Sequence, residues 1–194
     1  MTSILLPLFA MHFCPYVIIG PVGDIESQAA LTLEPFSESL EVEPHKVYLE
    51  DMEIKRMAAY YKLKENDFAA LMEKMQDWRG SEGGIDEVGL FSRTIANPEG
   101  KWDWYEIGGR WKGSFRGRNV IKASTLLKSP DLEKHPPFSL VSPEGEWLEV
   151  ERLVNAGDYK FTLVRKTPSR WLIELKQVLA RYPEHRVVCV DVHR

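Results

Sequence analysis

Residues 97–118 read NPEGKWDWYEIGGRWKGSFRGR and concentrate side chains able to hold or act on a charged ligand. Trp102, Trp104, Tyr105 and Trp111 supply aromatic faces, Arg110 a rigid five-donor fork and Lys112 a point charge. Gly108 and Gly109 permit a bend or a close backbone approach immediately before Arg110. Across residues 101–128, Lys101, Arg110, Lys112, Arg116, Arg118, Lys122 and Lys128 stand against Asp103 and Glu106, a net charge of +5. Such a stretch suits a phosphate-bearing ligand or single-stranded nucleic acid, with bases stacked on rings and phosphates met by Arg and Lys. It is not a phosphate-cradling loop, because GxGxxG and GxxxxGK[ST] are both absent from the sequence.

A second group of candidates is acidic and imidazole in character. Asp191 and His193 lie two residues apart near the chain's end, so on a strand they share a face. That pairing suits proton transfer or two ligands of a metal. His12, His45, His135 and His185 stand alone, without HxH, HExxH or CxxC spacing, so the expected metal set is none, and the cofactor is left unknown. Cys14 and Cys189 read as small buried residues rather than nucleophiles, and two cysteines cannot build a four-thiolate zinc site. No serine occupies a GxSxG elbow.

Three readings of these residues stay open. In the leading one, a binding module holds a nucleotide, nucleic acid or host protein through Trp102, Trp104, Tyr105, Gly108, Gly109, Arg110, Trp111 and Lys112. In the second, an enzyme gathers Asp103, Glu106, Arg110, Asp191 and His193 around one pocket, the sheet bringing the middle of the chain beside its last strand. In the third, the tryptophans are buried structural packing, and function lies in an interface such as the acidic stretch 34–53.

The elements that must position these groups follow from periodicity. Residues 16–19, YVII, form a short β-branched core strand ended by Gly20-Pro21. Asp24 caps a helix to Leu33, and Pro35 stops it. Residues 34–53 are acidic and read as a solvated face. Phe68, Leu71, Met72, Met75 and Trp78 form one apolar stripe, predicting a helix capped by Asn66 or Asp67 and closed by Gly80, after a weaker helix near Met57–Leu63. Residues 85–122 read as hairpin strands. A strand over 101–107 puts Lys101, Asp103, Tyr105 and Ile107 on one face and Trp102, Trp104 and Glu106 on the other. Residues 128–145, with Pro130, Pro136, Pro137 and Pro143, read as loop. Residues 147–154 and 160–164 flank a turn at 155–158, Thr167-Pro168 opens a helix ended by Pro183, and 186–192 form a final strand.

This order predicts an α+β domain over residues 1–194, with a ferredoxin-like split βαβ antiparallel sheet, helices on one face, and loop or helix insertions. An ordinary antiparallel sheet with helices on one face is the alternative. At 194 residues and 22.4 kDa the chain suits one domain, or a core with a long insertion. A net charge of −4 excludes a globally basic nucleic-acid binder but leaves room for a basic patch opposite residues 21–60, whose net charge is −6. The apolar leader at residues 1–15 is broken by Pro7, His12 and Pro15 and has no basic residue before it. It fits neither a membrane span nor a signal peptide, so a cytoplasmic protein without membrane attachment is expected. Small sheets of this class often pair through an edge or a face, which makes a homodimer a candidate state.

The sequence NPEGKWDWYEIGGRWKG resembles the NPxxKWDWYxIGGRW signature of a family of uncharacterised proteins from bacteriophages and bacterial genomes. Residues 33–44 resemble that family's PFxExxxVEP stretch, Glu144-Gly-Glu-Trp147 its DGxW stretch, and residues 188–193 its DCH-type ending. Val192 stands where that ending usually has cysteine, so a catalytic thiol at that position is impossible here. The resemblance implies a phage or prophage accessory protein and brings no chemistry with it.

Overall fold

A computed structural model describes residues 12–155 and 161–193. Most of the expected apolar leader, through residue 11, and residues 156–158 of the expected turn lie outside the described residues. The fold is α+β and divides into two compact units. One comprises the chain through Leu40 and from Pro98 onward, and the other comprises Glu41–Asn97.

In the first unit, β1 (His12–Phe13) leads into β2 (Pro15–Ile19), every residue of which is buried. Asp24 caps α1 (Ile25–Leu33), its carboxylate accepting the Ser27 N–H at 2.7 Å, and a 3₁₀ turn holding Pro35 follows. The inserted unit contains β3 (Glu41–Tyr48), α2 (Asp51–Tyr61), α3 (Phe68–Glu73), α4 (Met75–Arg79), β4 (Gly83–Ile85) and β5 (Leu90–Ala96). Its three strands pair antiparallel in the order β3-β5-β4, and Leu49, Met57, Leu71, Met75 and Leu90 form its core. The single helix expected over 68–78 is two helices, because Lys74, with ψ near zero, interrupts the ladder between them. Part of the acidic stretch 34–53 is β3, an edge strand with most of its acidic side chains in solvent.

The chain returns to the first unit with β6 (Trp104–Ile107), β7 (Val120–Lys122), α5 (Ala123–Leu126), α6 (Asp131–Lys134), β8 (Ser139–Val141) and β9 (Trp147–Glu149). A hairpin of β10 (Glu151–Asn155) and β11 (Phe161–Arg165), then α7 (Pro168–Arg181) and β12 (Arg186–His193), complete it. Thr167 caps α7 and Pro168 opens it, as the sequence requires. The proline-rich segment 128–145 is not all loop: it folds into α6 and the buried strand β8, which pairs parallel to β2.

β12 is the axis of the main sheet. One edge pairs with β1 and β2 in a single register, from His12 opposite His193 to Ile19 opposite Arg186. The other edge pairs with β6 at residues 190–193 and β7 at 186–188. Alternation then divides the residues between two faces. Val17, Ile19, Val188, Val190 and Val192 pack with Ala29 and Leu33 of α1 on one face. Tyr16, Ile18, Val187 and Cys189 pack with Leu126, Trp171, Leu175 and Leu179 on the other, where the Trp171 indole N–H donates to the Pro137 carbonyl at 2.8 Å. Helices therefore cover both faces, not one as expected, because successive apolar residues of β2 and β12 give both faces something to bury. The parallel β2–β8 pair also makes the sheet mixed rather than purely antiparallel. Among the described residues, no helix is long and apolar enough to cross a membrane.

Candidate functional site

At the end of β12 the second face turns from apolar to polar. Cys189, Asp191 and His193 alternate along it. The register sets His12 opposite His193 on one edge, and Trp104 and Glu106 opposite His193 and Asp191 on the other. Asp191 is 1% exposed, and both its oxygens are used. Oδ1 lies 2.9 Å from His12 Nδ1, and Oδ2 accepts the Arg110 backbone N–H at 3.0 Å. A carboxylate only accepts, so the neutral tautomer of His12 that fits this contact has its proton on Nδ1 and Nε2 as the ring's acceptor. A second pair lies alongside: His193 Nδ1 is 2.7 Å from Asp103 Oδ1. The two imidazole rings meet edge to face, with centroids 5.1 Å apart, and Trp104 approaches His12 edge-on at 6.2 Å.

The Gly-Gly bend makes this arrangement possible. Gly108 (φ +80°) and Gly109 (φ +43°) begin a 3₁₀ turn over Gly109–Trp111 that brings the Arg110 amide to Asp191. A Cβ on Gly109 would sit 2.4 Å from the Asp191 Cβ, and one on Gly108 would collide with the Asn119 amide. Backbone thus occupies space that only glycine leaves open.

The structure separates residues that the sequence groups together. Asp103, Asp191, His193 and the Arg110 amide converge, whereas Glu106 is exposed on the same face, opposite Asp191. The expected alternation over 101–107 holds only from Trp104 onward. Trp102 lies with Tyr105 on the apolar face, ring centroids 5.0 Å apart, and its indole N–H donates to the Leu33 carbonyl at 3.0 Å. The cause is that Trp102 bridges Ser37 instead of continuing β6, which rotates it away from Trp104 and brings Asp103 to His193. Burial raises the Tyr105 hydroxyl's pKa above the usual tyrosine value. Trp102 and Tyr105 therefore pack, half-buried, on the α1 side of the sheet, away from the face that carries Trp104. Trp104, 48% exposed, and the half-buried Trp111 remain accessible, which is not the wholly buried trio of a structural motif. Arg110 and Lys112 are exposed, and neither side chain has an ion-pair partner among the described residues.

His12 and Cys14 line a cavity of about 730 Å³, together with Trp111, Ser114, Arg116 and His135. Arg116 pairs across its rim with Asp131, Nε to Oδ2, at 3.0 Å. Below it the Cys14 and Cys189 sulfurs are 3.1 Å apart. The contact acts oppositely on the two thiols. Cys14 is pushed well above the ordinary thiol range by its hydrogen bond to Cys189 and by burial. Cys189 is held below that range by the same bond, helped by Ser114. Among the described residues, no three His, Cys, Asp or Glu side chains converge as a metal site requires.

His12, Cys14 and Cys189 are functional candidates that sequence reasoning misses. The available signal is alternation: His12-x-Cys14 and Cys189-x-Asp191-x-His193 are complementary polar stripes once the two strands are paired. Neither a family model, a curated protein sequence nor a solved structure matches this chain.

Proposed function

We propose that the protein is an acid–base enzyme acting on phosphate esters, with His12 and His193 as its two proton carriers. The observation that carries this reading is the adjacency of two aspartate-bound histidines, rings 5.1 Å apart, one of them lining a cavity. Displacement at phosphorus needs one oxygen to lose a proton while another gains one, and paired imidazoles perform both tasks near neutral pH. In this scheme His12 Nε2 takes the proton of an attacking water or hydroxyl as its oxygen bonds to phosphorus. The bond to the leaving oxygen breaks, and protonated His193 supplies that oxygen's proton. Asp191 and Asp103 hold the two rings. The exposed Arg110 and Lys112 side chains meet the non-bridging oxygens, and Trp104 and Trp111 flank the ester's organic part. The resemblance supports placing the enzyme among phage or prophage accessory proteins.

The test is turnover of bis(4-nitrophenyl) phosphate, cyclic nucleotides and short single-stranded oligonucleotides by the wild type and by His12→Ala, His193→Ala and Arg110→Ala. The expected result is a bell-shaped pH profile, with turnover lowered about 10²–10⁴-fold in each histidine variant. Absence of turnover on every substrate overturns the reading. The exposed Trp104 and Arg110 favour one second reading, a binding module for nucleic acid, a nucleotide or a host protein. Its mark is saturable binding without turnover, abolished by Arg110→Ala and retained in His193→Ala.

A further inference from the structure

Cys14 and Cys189 are 175 positions apart in sequence, yet the β2–β12 register brings their sulfurs to 3.1 Å. Both thiols are free and buried, and neither takes part in the histidine chemistry above. Burial alone describes an inert cysteine, but two further observations separate this pair from that case. Cys14 lines the cavity, so a small molecule entering it comes beside the dithiol. Each sulfur is also the other's nearest polar partner, with Ser114 Oγ a further 3.7 Å contact of Cys189. A thiol oxidised beside a second thiol condenses to a disulfide instead of continuing along the oxidation ladder.

We propose that Cys14 and Cys189 form a peroxide-reactive dithiol that closes to a disulfide, with the cavity as the oxidant's entry path. Cys189 sulfur, beside the cavity residues Ser114 and Trp111, gives up its proton to solvent and attacks one oxygen of a small hydroperoxide as the thiolate. The O–O bond breaks, leaving a sulfenic acid on Cys189 and releasing hydroxide, or alkoxide from an organic hydroperoxide. Cys14 sulfur then displaces the sulfenic hydroxyl, which leaves as water with the Cys14 proton, and the S–S bond forms. The two sulfurs lose two electrons, and the peroxide gains them. Thiols from solution restore the pair by exchange. This inference rests on the sulfur geometry and stands or falls independently of the phosphate-ester reading.

The experiment exposes the reduced full-length protein to stoichiometric hydrogen peroxide at neutral pH, followed by intact mass, thiol titration and peptide mapping. The expected product has lost the mass of two hydrogens, both thiols together, and yields a Cys14–Cys189 linked peptide that dithiothreitol reverses. Loss of thiols should run at least about 10-fold faster in the native protein than in the chain unfolded in urea, where the thiols are apart. Cys14→Ser should gain oxygen at Cys189 in place of closing, and Cys189→Ser should neither close nor react at the native rate. Two results overturn the inference: native thiols no faster than unfolded ones, or a wild-type product that gains oxygen without a cross-link. Both are read on the wild-type protein, so they hold even if a serine variant does not fold.

Discussion

Two aspartates, one in each compact unit, bind nearby groups to different ends. Asp86 sits in the β4–β5 turn, where its carboxylate accepts from Lys46 Nζ at 2.6 Å, Tyr48 Oη at 2.9 Å and the backbone N–H groups of Val88 and Gly89. Every donor is fixed in protonation near neutral pH, and the result is a clamp tying the turn to β3. Asp191 also has both oxygens occupied, but one partner is a histidine that keeps a second nitrogen for other work, at the rim of a cavity. The hydrogen-bond count does not distinguish the carboxylate of the proposed site. What marks it is whether the partner can still exchange a proton.

The largest expected effect separates the two by deletion. Asp191→Ala leaves the half-buried His12 imidazole and the Arg110 amide without their acceptor, costing about 1–3 kcal/mol in denaturant unfolding and, in the proposed reaction, about 100-fold or more in turnover. Asp86→Asn should leave turnover unchanged, and its signature is in pH. The Lys46 ammonium, aided by Tyr48 and two turn amides, holds Asp86 down to about 2. The folded value is below the unfolded value of about 3.9, so its stabilisation is complete above that pH and disappears as pH falls toward 2. Hydrogen exchange of β3 and β5 amides across pH 2–6 should show this acid limb in the wild type and a flatter one in Asp86→Asn. Turnover lost in Asp86→Asn would break the comparison.

Two glycines sharpen it at a smaller scale. Gly89 closes the Asp86 turn at φ +149°, with nothing within 4 Å of the place a methyl group would take, while Gly109 meets Asp191 itself at 2.4 Å. Gly89→Ala should cost only its backbone strain, about 1–2 kcal/mol, with turnover intact. Gly109→Ala adds a collision with Asp191 to similar strain, so it should destabilise more and displace His12. Thermal unfolding alongside the His12 imidazole proton signals reads both effects.

Local signals make much of the fold legible. Asp24 and Thr167 cap the helices they are expected to cap, and the apolar run within 186–192 forms the expected final strand. The losses come where a residue's partner is remote. β8 has three residues among prolines and is a strand because β2 and β9 complete its ladder. Trp102 leaves the alternation of 101–107 through one bridge to Ser37. Half of the candidate site is legible as Asp103, Arg110, Asp191 and His193. His12 and Cys14 are not, because only pairing across some 175 residues reveals their face.

The smallest expected effect concerns two exposed rings. Tyr48 belongs to the Asp86 clamp, and Trp104 stands against His12. Tyr48→Phe removes one of four donors and should leave ligand binding unchanged. Trp104→Ala removes a ring that is 48% exposed, so stability should move by no more than about 0.5 kcal/mol. If Trp104 stacks on a base, however, an oligonucleotide should bind about 1–3 kcal/mol more weakly. Stacking carries no counterion release, so the slope of affinity against salt should stay the same in Trp104→Ala and flatten in Arg110→Ala. Titrations at two salt concentrations separate these roles. An unchanged affinity in Trp104→Ala would remove the ring from the proposed site and leave ligand binding there to the histidine pairs, Arg110 and Lys112.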